Sequence, residues 1–417
     1  MLKLSSRFNN YPRQIWILLA GTLFNALGQG LVFPFLSLYL TNHLEFTMTQ
    51  VGVIYIVYAA VATFSQIGIG NLVDRFGRKP FMVIGMFGSG IGVLSMALNS
   101  KIDYPSFNAV FTSVIAIAIF MGSTSSAYPM VANTMIADVV EEKKRLSTYG
   151  LMRVGYNVGF AFGPVIGGLL AAQSYMLAFS ISAALSILFG FIILLFIHES
   201  KPEEQIIESH NQEADLKGML PILGDKIFLA FWALYVFSQI IFFQAETTLP
   251  VFLKTELGIT EQWYGLLMSM NALMIVFFQL PITRKMNNKD VGKSMALGFI
   301  LMGLGFSVYG FFDSLWIFFI GQVIWTLGNI ILSPVAQTFV SNIAPINMRG
   351  RYNGFFNMSF AIANGIGPIL GGSILDNLGG RWIWYGSLVL SIVGALGYIV
   401  IMAPMKRRLK RQTDFHT

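Results

Sequence analysis

The sequence predicts an all-α integral membrane protein, twelve transmembrane helices in two six-helix halves, and three observations carry that expectation. Of its 417 residues, 55% are hydrophobic and only 11% are charged, where soluble chains carry roughly 25% charged residues. The apolar residues gather in runs of about 20 or more, each long enough to cross a hydrocarbon core of about 30 Å. The runs show no strand alternation, and backbone groups in lipid must pair within their own segment, which selects helices over a barrel.

Taken in order, the expected spans are Ile15 to Leu40, Val51 to Val73, Pro80 to Asn99, Asn108 to Ala137, Thr148 to Ala172 and Tyr175 to Ile197 in the first half. The second half gives Ile227 to Leu253, Trp263 to Thr283, Ser294 to Phe312, Leu315 to Ser341, Asn353 to Leu375 and Trp382 to Met402. The first run is too long for a secretory signal and continues into Pro34-Phe35-Leu36, so it reads as a retained helix. Between the halves, the segment 198–226 is polar and lacks apolar periodicity, with Glu203, Glu204, Glu208, Asn211 and Asp215. It is expected to be a linker dividing residues 1–197 from 227–417.

The loops set the orientation. Lys101, Lys254 and Arg381 fall on one side and Arg153 inside a span, while the other 23 of the 27 Lys and Arg lie on the opposite side. Cytoplasmic loops retain basic residues, so both termini are expected in the cytoplasm of a cell membrane protein. The net charge of +7 therefore reports topology, and no nucleic-acid partner is expected.

An offset of 204 residues places Arg145 on Arg349, Gly150 on Gly354, Gly163-Pro164 on Gly367-Pro368 and Gly167-Gly168 on Gly371-Gly372. Duplicated six-helix halves are the architecture of a rocking transporter with its site near the midplane between them.

Enzyme chemistry finds no support. Cysteine is absent, which removes thiolate ligands and cysteine nucleophiles. His43, His198, His210 and His416 are scattered over loops and ends, so no metal is expected. Gly85, Gly88, Gly90 and Gly92 lie in a helical run with no strand before them, and no Gly-Lys-Ser/Thr occurs, so no nucleotide cofactor is expected either. An ion gradient is left as the energy source, with a small-molecule substrate and protons as partners and a monomer as the working unit.

The stretch Gly70-Asn71-Leu72-Val73-Asp74-Arg75-Phe76-Gly77-Arg78-Lys79 resembles the loop signature of the major facilitator superfamily. Gly150, Gly159, Gly163-Pro164 and Gly167-Gly168 resemble the fifth-helix motif of its twelve-helix drug/proton antiporters. The resemblance implies the major facilitator fold, multidrug efflux and a loop that latches one conformation. Many of those antiporters also carry an arginine in the fourth helix, yet here the stretch Ala118 to Thr124 has none.

Physical reasoning gives each motif a reading of its own. Asp74 is expected near a helix N-terminus, where the dipole favours an anion, and Arg75, Arg78 and Lys79 near carboxylates such as Asp138, Glu141 or Glu142. The alternative is that these charges only set topology. The second-half counterpart, Thr283 to Asn288, lacks the pattern, so the latch is expected on one half alone. Gly155, Gly159, Gly163 and Gly167 recur every four residues and form a smooth stripe for close packing, with a kink expected at Pro164.

A carboxylate at mid-helix costs about 2.5–3.5 kcal/mol on insertion scales and so tends to face a cavity. Glu246 is the one lying clearly inside a span, which makes it the candidate for proton or substrate contact. It stands roughly 9 Å beyond the helix middle at 1.5 Å per residue, so lining an outer vestibule is the alternative. Polar residues at helical spacing supply cavity candidates: Asn25 and Gln29; Tyr58 and Gln66; Arg153 and Asn157; Gln239; Gln322, Trp325 and Asn329; Asn357 and Asn364. Interhelical hydrogen bonding is the competing use for each set, and Arg153 could equally snorkel or pair with Asp138.

Proton-coupled efflux of lipophilic cationic or neutral compounds by alternating access is the leading reading. Transport of one metabolite, such as a sugar, peptide or siderophore, is the alternative, and a non-transporting membrane sensor would ordinarily need a soluble domain.

Overall fold

The computed structural model describes residues 11–200, 220–286, 289–345 and 348–414, all in helices, turns and short connections. The first half is built of α1 (Arg13–Asn42), α2 (Met48–Phe76), α3 (Arg78–Asn99), α4 (Phe107–Ser125), α5 (Ala127–Val139), α6 (Glu142–Ala171) and α7 (Tyr175–Phe196). A single turn, α8 (Leu220–Leu223), precedes α9 (Lys226–Thr255), α10 (Glu261–Met286), α11 (Val291–Phe311), α12 (Leu315–Ile343), α13 (Arg349–Leu378) and α14 (Arg381–Asp414). Among the described residues, twelve spans are long and apolar enough to cross a membrane, as the sequence predicts.

The fourth span, expected as one helix from Asn108 to Ala137, is broken at Ser126. Pro129 has no N–H to offer the Ser125 carbonyl, so the ladder loses a rung one turn earlier. Side-chain caps start several other helices. Ser106 accepts the Ala109 N–H before α4, Ser174 that of Leu177 before α7, and Asp225 that of Phe228 before α9. Thr47 and Gln50 cap α2 reciprocally, each side chain bonded to the other's backbone N–H at 3.2 and 3.0 Å. The last helix outruns its expected end at Met402, continuing through Pro404 to Asp414.

Contacts divide the chain into two compact units, residues 1–39 with 57–213, and residues 40–56 with 214–417. The α1–α2 turn and the first two turns of α2 thus pack with the second unit although their helices run on into the first. Within the first unit, α3 packs on α7, α4 and α5. Ile15 and Leu18 of α1, Met82 and Met86 of α3, Tyr128 and Met135 of α5 and Phe189 and Ile193 of α7 form a buried cluster there. Within the second unit, α11 packs on α12 and α14, and α9 on α13. Phe306 of α11 stacks between Trp325 of α12 and Trp384 of α14, with centroids at 4.9 and 6.0 Å. The expected linker falls mostly outside the described residues, but its first residues, Glu199 and Ser200, are described and matter below.

Candidate functional site

In the first unit, α1, α5 and α6 enclose a cavity of about 610 Å³. Asn25 and Gln29 line it from α1, Tyr128 and Asn133 from α5, and Arg153, Tyr156 and Asn157 from α6. Four of the expected cavity residues therefore meet. The turns of α1 set their order: Gln29 donates to Asn25 at 3.0 Å and accepts from the Tyr156 hydroxyl at 3.2 Å. Among the described residues no carboxylate lines the cavity, and Arg153 is exposed within it. Asn25 and Gln29 also border a smaller void of about 30 Å³ lined by Tyr58, Ser125 and Ser182, a polar space of the size a water requires.

The remaining polar candidates are elsewhere. Gln322 is fully buried and accepts from Tyr309 at 3.0 Å, and Trp325 is core, stacked on Phe306. Gln66 and Asn357 are exposed, and Gln239, Asn329 and Asn364 are half-buried; none lines this cavity.

The α2–α3 loop gathers part of its expected cluster. Arg78, only 5% exposed in its side chain, bridges Asp138 of α5 at 2.9 Å. That pairing removes Asp138 as a partner for Arg153. Two residues that the sequence did not single out complete the network: the Ser200 hydroxyl donates to Asp138 at 3.1 Å, and the Glu199 carboxylate accepts the N–H groups of Arg78 and Lys79 at 2.8 and 3.0 Å. The anion at the helix N-terminus is thus Glu199, at α3. The side chain of Asp74 lies outside the described residues, as does that of Glu142. Gly77 has φ +97 and lies against the Glu199 carboxylate, so a side chain there would meet both backbone strain and a clash. Arg75 lies over the Phe76 ring at 5.2 Å, Glu141 pairs with Lys144, and Gly70 is in open contact with Met130 alone.

The α6 stripe packs on α1. A Cβ at Gly163 would stand 2.7 Å from the Gly30 Cα, one at Gly167 3.0 Å from the Leu31 Cα, and one at Gly159 3.0 Å from the Leu27 nitrogen. Side chains are excluded there because backbone meets backbone. Gly150 has nothing within reach, Gly168 is buried, and α6 runs unbroken through Pro164.

Glu246 is half-buried on α9, and among the described residues it makes no hydrogen bond or ion pair. Tyr264 of α10 is an electrostatic neighbour, its hydroxyl donating to the Ala245 carbonyl at 2.9 Å. Gln244, two residues earlier, points a different way, because 200° of helical rotation separates the two side chains. It donates to the Gly367 and Ile240 carbonyls at 2.9 and 3.0 Å and accepts from Thr248 at 2.9 Å.

At the other end of α2 the structure brings in a further residue outside the sequence candidates. Asp376, near the end of α13, accepts the N–H groups of Met48 and Thr49 at 3.0 and 2.7 Å and the Thr49 hydroxyl at 2.6 Å. The Gly372 Cα lies against the Met48 backbone, and Gly52 against Ile369. The available signal was an acidic residue directly after an expected span, facing a helix start that needs acceptors.

Comparison with known proteins agrees with the motifs. The model of the Major Facilitator Superfamily matches residues 18–289 and 246–417. Multidrug resistance protein 1 of Bacillus subtilis is 26% identical over 93% of this chain and 96% of its own. A Na(+), Li(+), K(+)/H(+) antiporter of Planococcus maritimus is 25% identical over 87% and 90%. The crystal structure of the nucleoside transporter NupG superposes with a TM-score of 0.79 at 15% identity, covering 93% of this chain and 99% of that one, which is a likeness of fold. The chain belongs to the Major Facilitator Superfamily and is a multi-pass membrane transporter.

Proposed function

We propose that the chain is a proton-coupled exporter of lipophilic cationic or neutral compounds, acting by alternating access in the cell membrane with both termini in the cytoplasm. The observation that carries this reading is Glu246, an ionisable group in an apolar span with no ion partner among the described residues. Such a carboxylate is held at a cost of about 2.5–3.5 kcal/mol, which binding a proton or a cationic solute relieves. Mutually exclusive relief by one or the other is the elementary step of antiport, because the arriving cation displaces the proton.

Two clusters support a conformational cycle. The Arg78–Asp138–Ser200 network, with Glu199 on α3, is a latch around the α2–α3 loop, and the Asp376 contact is a second one at the opposite end of α2. Their acceptors hold helix starts, whose N–H groups can be released to water at modest cost. Relatives named as multidrug resistance and cation/proton antiport proteins add weight to exchange with protons. The cavity of the first unit, lined by tyrosine, methionine, amides and Arg153, suits neutral ligands of mixed character. A carrier of one specific metabolite would use the same parts with a narrower cavity preference.

The test is reconstitution in liposomes under an imposed pH gradient, scanning substrates while internal pH is recorded. The proposal expects several unrelated lipophilic cations to move uphill with a matching proton flux. Movement of one metabolite alone selects the alternative, and transport indifferent to the gradient refutes proton coupling.

A further inference from the structure

We propose that the α1–α5–α6 cavity is a subsite for the carboxylate of an amphipathic organic anion, with Arg153 as its recognition residue. The inference rests on the transporter reading above and widens its substrate range beyond cationic and neutral compounds.

Four observations carry it. Arg153 lines a cavity of about 610 Å³, ample for a small aromatic acid, and is exposed inside it. Among the described residues it forms no ion pair or hydrogen bond, and the nearest carboxylate expected for it, Asp138, is taken by Arg78 at 2.9 Å. Thus, among the described residues, the cavity wall carries a positive charge and no negative one. Asn157 stands one turn from Arg153, and Asn133 faces the cavity from α5 with its backbone carbonyl accepting the Tyr149 hydroxyl at 3.2 Å; among the described residues neither side-chain amide has a hydrogen-bond partner, so amide donors are at hand for a second oxygen. Pro129, Ala132, Ile136 and Met152 give the wall an apolar stretch beside these polar groups.

A guanidinium presents a planar fork that matches a carboxylate with two parallel hydrogen bonds. An unpaired guanidinium placed in a span needs either water or an anion, and an anion that pairs with it exchanges that water for charge-assisted hydrogen bonds. Gln29 and Tyr156 are already bonded to each other and leave the fork unobstructed. Fixed geometry on two helices, rather than a mobile loop, is what separates a recognition residue from one that merely sets topology.

The probe pair is 2-naphthoate and 2-naphthamide, equal in shape and differing in charge, titrated calorimetrically into the purified full-length protein. The parental protein should bind the acid at least tenfold more tightly than the amide. Arg153→Gln should weaken the acid by about 10- to 100-fold and leave the amide within threefold, the range of a charge-assisted bond. Arg153→Lys should fall between, because it keeps the charge and loses the fork. Equal affinity for the two probes, or an unchanged affinity for the acid in Arg153→Gln with an intact melting profile, overturns the assignment. A lipid phosphate is the other oxyanion in reach. If phosphatidylglycerol nanodiscs block the acid in the parental protein while phosphatidylcholine nanodiscs do not, the occupant is a headgroup and the small-molecule assignment falls. Binding is read without transport, so a chain that binds 2-naphthoate yet moves no cation against a gradient contradicts the exporter reading alone. The reverse result contradicts this subsite alone.

Discussion

The two halves repeat their glycine helices but not what lies against them. In α6, Gly163 meets Gly30 of α1 with backbone on backbone, the atoms nearest to a Cβ there being main-chain atoms of Gly30 and Leu27. In α13, the matching Gly367 lies beside Phe243 and Gln244 of α9, and the glutamine fills the groove and donates to the Gly367 carbonyl at 2.9 Å. The same glycines thus make a backbone-on-backbone seam in one half and a side-chain-bonded seam in the other. The loops diverge likewise. The α2–α3 loop holds a buried Arg78–Asp138 pair, whereas the α10–α11 loop has Asp290 with Lys406, whose side chain is 58% exposed. Duplication preserved the backbone approach, while charge and polarity were placed asymmetrically: the open cavity with its cation in the first unit, the carboxylate Glu246 in the second.

The loop contrast should give the larger effect. Asp138→Asn strips the partner from an arginine with 5% of its side chain exposed, and removing one member of a buried pair costs about 3–5 kcal/mol. A large fall in melting temperature is expected, with loss of transport. Lys406→Ala should cost well under 1 kcal/mol, because its ammonium is mostly in water. Burial pushes the Asp290 carboxyl up, but hydrogen bonds from Lys406 and the Lys293 N–H outweigh it and hold its pKa below the ordinary value. A depressed carboxylate adds stability above its unfolded pKa and loses it as pH falls through the folded one. The Lys406 contribution should therefore be flat at neutral pH and vanish only in acid. Equal melting shifts for Asp138→Asn and Lys406→Ala would erase the asymmetry.

The glycine contrast is sharpened by three alanines. Gly163→Ala puts a Cβ 2.7 Å from the Gly30 Cα, where neither backbone can yield, and an overpacking cost of about 1–3 kcal/mol is expected. Gly367→Ala meets Phe243 at 3.3 Å, a contact that side-chain adjustment can absorb, so a smaller loss is expected. Gly354→Ala meets nothing and should gain up to about 1 kcal/mol from helix propensity. Thermal melts of the three proteins should fall in that order, and a Gly367→Ala loss matching that of Gly163→Ala would make the seams equivalent.

Much of this was legible in the sequence. Span length and the 204-residue offset gave the twelve helices and the repeat, because hydropathy in lipid admits few structures. The glycine stripe predicted a close backbone contact, and the run from Gly70 to Lys79 predicted that Arg75, Arg78 and Lys79 would reach carboxylates such as Asp138, Glu141 or Glu142, of which the Arg78–Asp138 pair forms. Other partners brought in from distant parts of the chain were not legible. Glu199 and Asp376 are outside the sequence candidates, and only the fold brings helix N-termini to them. Helical spacing marked Gln322 and Trp325 as a polar face without revealing that Tyr309 and Phe306 supply their partners, so they are core rather than cavity. Periodicity gives the face; the neighbouring helix decides its use.

The most direct test of the account replaces Glu246 with glutamine and follows substrate in reconstituted vesicles under an imposed pH gradient. Glutamine keeps the shape and mimics the protonated acid, so uphill accumulation of a lipophilic cation should be lost while downhill exchange partly survives. A Glu246→Gln protein that still concentrates the cation with the parental pH dependence would contradict the account, leaving Glu246 a vestibule residue and the energy source elsewhere.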